Sequence, residues 1–358
     1  MIFLAIVAAL FVGGSSAYLA SSEVRYLWRA AAEETIILRA RQPLDEALRD
    51  STLPAAFRAQ LQLVASVRDY AATLGYEAGD TYRTFARLDR DTLLLVLSAS
   101  RKECICPVTW KYPIVGRVPY KGFFDVDEAR RKADVLAREG NDINLRPASA
   151  FSTLGWFEDP LLSTALSRDS VELAALVFHE IAHNSLYVKS ATPFNESFAQ
   201  FAGYRAAERY FRDRGDSVLA ARAADRWRDE IVLGRFYREL VDRATAFYDT
   251  RPGPAALDSG RAALGEWVKA QWEGSLADEL RAMRPGPVAA RPINNARLVG
   301  VTIYRTRLEL FEQWYERHER DVGRSVAELR RLMDGASGDE AFERLERALQ
   351  DPAPAAAP

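Results

Sequence analysis

The chain has 358 residues, enough for one large domain or two modest ones around a sizeable core. Hydrophobic residues make up 48% and charged residues 27%, and a formal charge of −2 leaves no basic face for nucleic acid. The basic residues are almost all Arg and lie scattered among acidic ones, as on solvated helix faces, so no nucleic-acid partner is expected.

Met1 to Ala20 carries no charged side chain, and Ile2 to Val12 is nearly all apolar before Gly13-Gly14-Ser15-Ser16-Ala17. An apolar run followed by small residues reads as a signal peptide or membrane anchor over residues 1–22, and about 20 weakly polar residues just cross a bilayer. No basic region precedes the run, and the first Arg is Arg25. Cleavage and anchoring both stay open. The expected location is exported, either periplasmic or anchored in the cytoplasmic membrane and facing the periplasm.

Helical sequence follows from Glu23 to Arg41, stopped by Pro43, and again from Leu53 to Leu74, where Leu61, Val64, Ala65, Tyr70 and Leu74 recur at helical spacing before Gly75. Thr92 to Ser98 reads as a buried strand. Cys104 and Cys106 have one residue between them, a spacing at which extended neighbours rarely meet disulfide geometry, so two small, partly buried thiols are expected. From Val108 to Phe124, aromatic and β-branched residues alternate among Pro113, Gly116, Pro119 and Gly122, predicting short strands at a sheet edge. Asp127 to Glu139 is a predicted helix, and Ile143 to Leu145 a short strand.

From Asp169 the pattern is almost entirely helical. Asp169 and Glu172 form a capping-box pattern opening a helix that runs to about Tyr187. After a loop with Pro193, a second helix is predicted from about Asn195 to Arg214, closed by Gly215. Long amphipathic stretches follow at Val218–Tyr248, Leu257–Met283 and Asn294–Asp321, and Glu328 to Leu349 predicts shorter closing helices. The expected fold is α+β, a small mixed N-terminal strand region packed on a mainly helical body. One domain spans 23–350, with a mixed α/β part at 23–168 and a helical part at 169–350. The low-complexity tail at 351–358 is predicted to be disordered.

Within the helix after Asp169 lies His179-Glu180-Ile181-Ala182-His183, an HExxH motif in a chain with only three histidines. Four residues make close to one helical turn, so both imidazoles project from one face and can share one metal ion. Glu180 then sits beside the metal's water, placed to take its proton. The competing reading is the polar face of an ordinary helix. It leaves Glu180 unpaired among Val177, Phe178, Ile181 and Ala182, and an unpaired buried carboxylate is costly.

Zinc wants a third protein ligand and an open fourth position. Glu196, in Asn195-Glu196-Ser197-Phe198-Ala199, follows His183 after twelve intervening residues, enough for a helix end, a reversal and one returning turn. Ala199, Gly203, Ala206 and Ala207 offer a small-residue surface for close approach of the second helix. The rival ligand, His318, stands in the charged run Tyr315-Glu316-Arg317-His318-Glu319-Arg320, which reads as a solvated face. The expected cofactor is one zinc ion per chain on His179, His183 and Glu196.

The segment HEIAHNSLYVKSATPFNESFA resembles the signature of a bacterial family described as putative aminopeptidases, zinc peptidases of the HExxH-plus-Glu type. Phe151-Ser152-Thr153-Leu154-Gly155-Trp156-Phe157-Glu158-Asp159-Pro160-Leu161-Leu162-Ser163 resembles a second block of that family. Tyr112–Gly116 with Tyr120–Asp125 resembles a third. Asn294-Asn295-Ala296-Arg297-Leu298, with Tyr304 beyond, resembles a fourth. Together the blocks cover most of residues 23 to 335. The resemblance implies zinc on His179, His183 and Glu196, Glu180 as general base, and an exported, membrane-associated protein. Gly13–Ala17 stands where members often carry a lipoprotein-type Cys. Cysteines expected near Lys111 and Arg117 are replaced by Cys104 and Cys106 upstream.

The expected reaction is peptide hydrolysis, as an aminopeptidase, by a zinc-bound water that Glu180 activates. Tyr304 and Arg297 are candidates for stabilising the oxyanion, with a core-packed Tyr304 as the alternative. Glu158 and Asp159 are candidates for holding the substrate's α-amine, although acidic residues before Pro also shape turns. The Val108–Phe124 strands are an expected edge for an extended substrate backbone. The other function class is a non-enzymatic cell-envelope protein with a structural zinc site, which would have no use for Glu180.

Overall fold

The computed structural model describes residues 22–112, 116–148, 160–284 and 293–351. The stretches before Ser22 and after Asp351, and with them the predicted leader and tail, lie outside the described residues. Among the described residues no helix is long and apolar enough to cross a membrane.

The chain opens with α1 (Ser22–Ala40), strand β1 (Arg41–Pro43) and a short α2 (Leu44–Arg49). Helix α3 (Ala55–Thr73) follows Pro54, buries Leu61, Val64, Val67 and Ala71 at helical spacing, and stops before Gly75 at φ +76°, a left-handed position suited to Gly. β1 pairs antiparallel with β2 (Thr84–Ala86), and β2 pairs parallel with β8 (Leu161–Leu162). These three strands and α2 were not visible as periodic patterns, being too short to repeat.

A second sheet carries the order β6-β3-β7, from β3 (Leu94–Arg101), β6 (Lys121–Phe123) and β7 (Asn141–Ala148), both neighbours antiparallel to β3. The short strands predicted over Val108–Phe124 form, but they divide. β4 (Trp110–Tyr112) and β5 (Gly116–Val118) make their own ribbon, and only β6 joins the sheet. The buried Lys121 of β6 sits 3.9 Å from the Tyr26 ring centroid and so ties α1 to this sheet. Helix α4 (Val126–Arg138), capped by Asp125, covers one face of the sheet through Ala129, Ala133 and Leu136, packed on Leu97, Ala99 and Phe123.

The expectation of two free thiols is corrected. Cys104 and Cys106 are joined by a disulfide, with Cα atoms 5.3 Å apart. The chain is not extended there. It curls back after β3, with Cys106 N donating to Ser100 Oγ at 3.0 Å and Ser100 Oγ donating to Cys104 O at 3.2 Å, which brings the two Cα atoms within disulfide range.

The helical body is built around α5 (Ser170–Ser185), α6 (Thr192–Asp213) and α7 (Ser217–Asp249). Asp169 caps α5 by accepting from Val171 N and Glu172 N at 2.9 and 3.2 Å. Glu172 does not complete a capping box. Its carboxylate instead accepts from Tyr204 of α6 and Arg226 of α7, cross-linking the three helices. Pro193 falls inside the first turn of α6, where its missing N–H is no loss. Beyond α7 the predicted stretches are cut. One divides at Gly274 into α8 (Pro254–Glu273) and α9 (Ser275–Glu279). Another divides at Arg307, φ +53°, into α10 (Asn295–Ile303) and α11 (Leu308–Arg317). Helices α12 (Val322–Leu332) and α13 (Glu340–Gln350) close the chain.

The expected small-residue surface on α6 is present, with Ala199, Ala206 and Ala207 fully buried. At Gly203 a Cβ would lie 2.7 Å from the Ala175 carbonyl oxygen of α5 and 3.3 Å from His179 Cβ. Overpacking usually costs about 1–3 kcal/mol, and the atom met here is backbone, which puts the cost in the upper part of that range. Less the gain of about 1 kcal/mol from replacing Gly in a helix, Gly203→Ala is expected to destabilise the fold by about 1–2 kcal/mol. Denaturant unfolding checks it, and a variant of unchanged or raised stability would show that the two helices separate freely.

Candidate metal centre

Helix α5 points His179 and His183 the same way, one turn apart, with their rings at 86° and their Nε2 atoms 3.2 Å apart. The second turn of α6 brings Glu196 against them, its Oε2 lying 3.4 Å from His179 Nε2 and 3.9 Å from His183 Nε2. Among the described residues these three form a group able to hold a metal ion. Ligands about 2.0–2.1 Å from a tetrahedral zinc stand about 3.3 Å from one another. The donor spacings therefore fit one such ion with little movement.

Local structure explains the placement. Asn195 is buried and grips the turn between the helices at both backbone groups of Val188, accepting from its N–H at 2.9 Å and donating to its C=O at 2.8 Å. Ser197 is buried on the other side, where its Oγ accepts from Thr306 N at 3.1 Å and ties α6 to the turn after α10. Glu196 is thus held between two fixed residues. Gln200, one turn further along α6, hydrogen-bonds the His179 ring. Such an outer partner orients a ligating imidazole. The Nδ1 atom of His183 is buried with no partner among the described residues.

Electrostatics separates the two histidines. Burial opposes a charge on His179, but the hydrogen bond that its ring donates to Glu196, with the charges of Glu180 and Glu196, outweighs it and raises the pKa. Burial, helped by the charge of His179 and opposed by Glu196, pushes His183 down to about 4. Glu196 is raised by burial, yet the hydrogen bond and charge of His179, with His183, hold its pKa below the usual value. Without a metal, His179 therefore holds its proton more firmly than a free imidazole does, and the Glu196 carboxyl gives its own up more readily than a free one. A metal must displace that proton, so zinc affinity is expected to fall as pH drops through the raised His179 pKa. Calorimetry in buffers of different ionisation enthalpy should find more protons released at about pH 6 than at about pH 8.5, and equal release would contradict it.

Glu180 is half-buried on the same turn as His179. Tyr304, at the C-terminal end of α10, is mostly buried and lies within electrostatic reach of Glu196, Glu180, Tyr120 and Arg146. Tyr120, just before β6, is 36% exposed over the whole residue. Its hydroxyl is nonetheless desolvated and feels Glu196 and Arg146. Tyr120, Arg146 and Gln200 were missed from the sequence. Gln200 left a signal there by standing one helical turn after Glu196, and Tyr120 by opening one of the resembling blocks.

Other candidates fare differently. Glu158 and Asp159 lie outside the described residues. Arg297 is half-buried in the first turn of α10, and among the described residues no contact joins its side chain to the centre. The reading of His318 as part of a solvated face is corrected. It is buried, its ring lies against Trp314, and its Nδ1 is 2.7 Å from the Trp314 carbonyl oxygen at the end of α11. The neighbouring asparagines turn out to be a joint. Asn294 donates to Ile143 O of β7, while the buried Asn295 donates to the carbonyls of Arg101, Lys102 and Cys104 and accepts from Tyr248 Oη. Its own N–H goes to Asp142, which Arg261 clamps with two hydrogen bonds.

Fold and site together define an α+β protein, mainly helical, in which two imidazoles and a carboxylate converge inside a tight helix hairpin. The chain belongs to the family described as "Putative aminopeptidase", whose model matches residues 25–345, about nine-tenths of its length. No curated protein and no solved structure matches it.

Proposed function

We propose that the chain is a zinc-dependent peptidase acting as an aminopeptidase, with zinc held by His179, His183 and Glu196. The observation that carries this reading is the set of three donor spacings, 3.2, 3.4 and 3.9 Å, beside a carboxylate that is not one of the donors. Bound there, zinc supplies a Lewis acid that polarises the scissile carbonyl and acidifies water. Glu180 takes the proton of the attacking water and returns it to the amine as the C–N bond breaks. The Tyr304 hydroxyl is held protonated, its pKa raised first by burial and then by the charges of Glu196, Tyr120 and Glu180, against Arg146. It therefore remains a hydrogen-bond donor for the developing oxyanion.

A zinc ion that merely braces helices closes its fourth position with a protein ligand. Among the described residues the donor group has three members, which favours the enzyme. Family membership supports peptides as substrates and an N-terminal site of attack. The test is hydrolysis by the zinc-loaded chain of peptides with free and acetylated N-termini. Stepwise release of N-terminal residues, blocked by acetylation, is expected. Cleavage indifferent to acetylation would make it an endopeptidase, and no cleavage of any peptide would remove the enzyme reading.

A further inference from the structure

The outer edge of β7 and the helix that lies along it bring a cationic side chain to the centre. Hydrogen bonding settles which way β7 faces. Ala148 O accepts from Leu93 N, on the β3 side, whereas Ile143 O accepts from Asn294, on the other. Even-numbered residues of β7 therefore direct their backbone groups to β3, while the N–H and C=O of Leu145 and the C=O of Pro147 point outward. Pro147 sits where its missing N–H costs nothing. Side chains alternate across the sheet as well. Ile143 and Leu145 pack with the cluster under α4, so Asn144 and Arg146 stand on the opposite face, the one α10 covers.

Helix α10 runs along β7 in the same direction. Its start is fixed at Asp142 and Ile143, and a Cβ at Gly300 would lie 3.6 Å from Asn144 Nδ2. From Gly300 to Tyr304 the helix advances about 6 Å. From Asn144 to Arg146 the strand advances about 6–7 Å. Arg146 therefore stands level with Tyr304, whose neighbour Thr306 is bonded to Ser197, beside Glu196. The hydroxyls of Tyr120 and Tyr304 both lie within electrostatic reach of Arg146 and of Glu196.

Neighbouring arginines are already engaged, Arg261 with Asp142 and Arg305 with Glu230. Arg146 is exposed and makes no ion pair among the described residues. We propose that Arg146 is the specificity residue that receives a carboxylate of the substrate, either the α-carboxylate of a short peptide or an Asp or Glu side chain. A guanidinium takes a carboxylate through two parallel hydrogen bonds. The outward groups of Leu145 and Pro147 offer an extended peptide backbone its partners beside that charge. This assignment rests on the peptidase reading and narrows it to acidic or carboxy-terminal peptides.

The test compares Ala-Ala-Ala, its C-terminal amide, and the amide with Glu in place of the last Ala, on zinc-loaded wild type and Arg146→Gln. The readout is the ratio of kcat/KM for each carboxylate-bearing peptide to that for the neutral amide, in which a general loss of activity cancels. The ratio is expected to be about 10–100 in wild type and to fall near one in Arg146→Gln. Preference for the free acid alone identifies the α-carboxylate, and preference for the Glu amide as well identifies any carboxylate. A wild-type ratio near one, or a ratio untouched by the substitution, overturns the proposal. Calorimetric binding of the same peptides to Glu180→Gln, with and without Arg146→Gln, separates the two readings. If no peptide is cleaved yet acids bind more tightly than amides only when Arg146 is present, peptidase activity fails and the anchor stands. Equal binding overturns the anchor.

Discussion

Glu180→Gln is expected to lower peptide hydrolysis by about 10²–10⁴-fold, the usual contribution of a positioned general base, while zinc content and folding stay as in wild type. The amide matches the carboxylate in shape but cannot accept the proton of the attacking water. Glu180 lies on the same turn as His179 and is half-buried, so the exchange leaves no cavity. Its one further effect follows from its charge, which helps to raise the His179 pKa in the chain alone. Removing that charge eases proton loss from His179 and should leave zinc uptake undiminished. Steady-state kinetics beside metal analysis checks both halves. Retained activity would end the role of Glu180, whereas lost zinc would make Glu180 part of the metal site.

Glu196→Ala carries the second large effect. The carboxylate closes the donor triangle, and without it two imidazoles remain on one helix with an ion exposed to solvent or to non-protein ligands. Loss of an outer-shell partner weakens a metal site by about 10–100-fold, and loss of a direct ligand should exceed that. The fold itself should survive. Asn195 and Ser197, which fasten this turn of α6, are untouched, and the removed group is itself partly exposed. His179 also loses the hydrogen bond that raises its pKa, so its ring should titrate at lower pH in the metal-free variant than in the metal-free wild type, as NMR of the imidazole can check.

The parts of the centre legible from sequence are those fixed by short-range geometry. His179 and His183 needed only the helical repeat, and Glu196 needed only a reversal and a small-residue face, both present. What escaped depended on packing between distant segments. His318 looks solvated by its charged neighbours, yet Trp314, one turn back, covers it. Cys104 and Cys106 look too close for a disulfide until Ser100 folds the chain between them. The long helical stretch after Asn294 carries no Gly or Pro at its break, because Arg307 takes the left-handed turn there. Arg146 lies in short strand sequence with no motif of its own, and Asn294 and Asn295 set α10 along its strand, β7. Tyr120 opens one of the resembling blocks but stands just before β6, where nothing in the block says that it faces the metal ligands. Fold class followed the same rule, with the helical body clear from periodicity and the small sheets legible only in outline.

Zinc content per chain, measured after zinc loading and exhaustive dialysis of wild type beside Glu196→Ala, tests the three-donor centre most directly. About one retained zinc is expected in wild type and little or none in the variant, with both proteins folded by circular dichroism. A folded wild type that retains no zinc, or a variant that retains it as firmly, would contradict the three-donor centre.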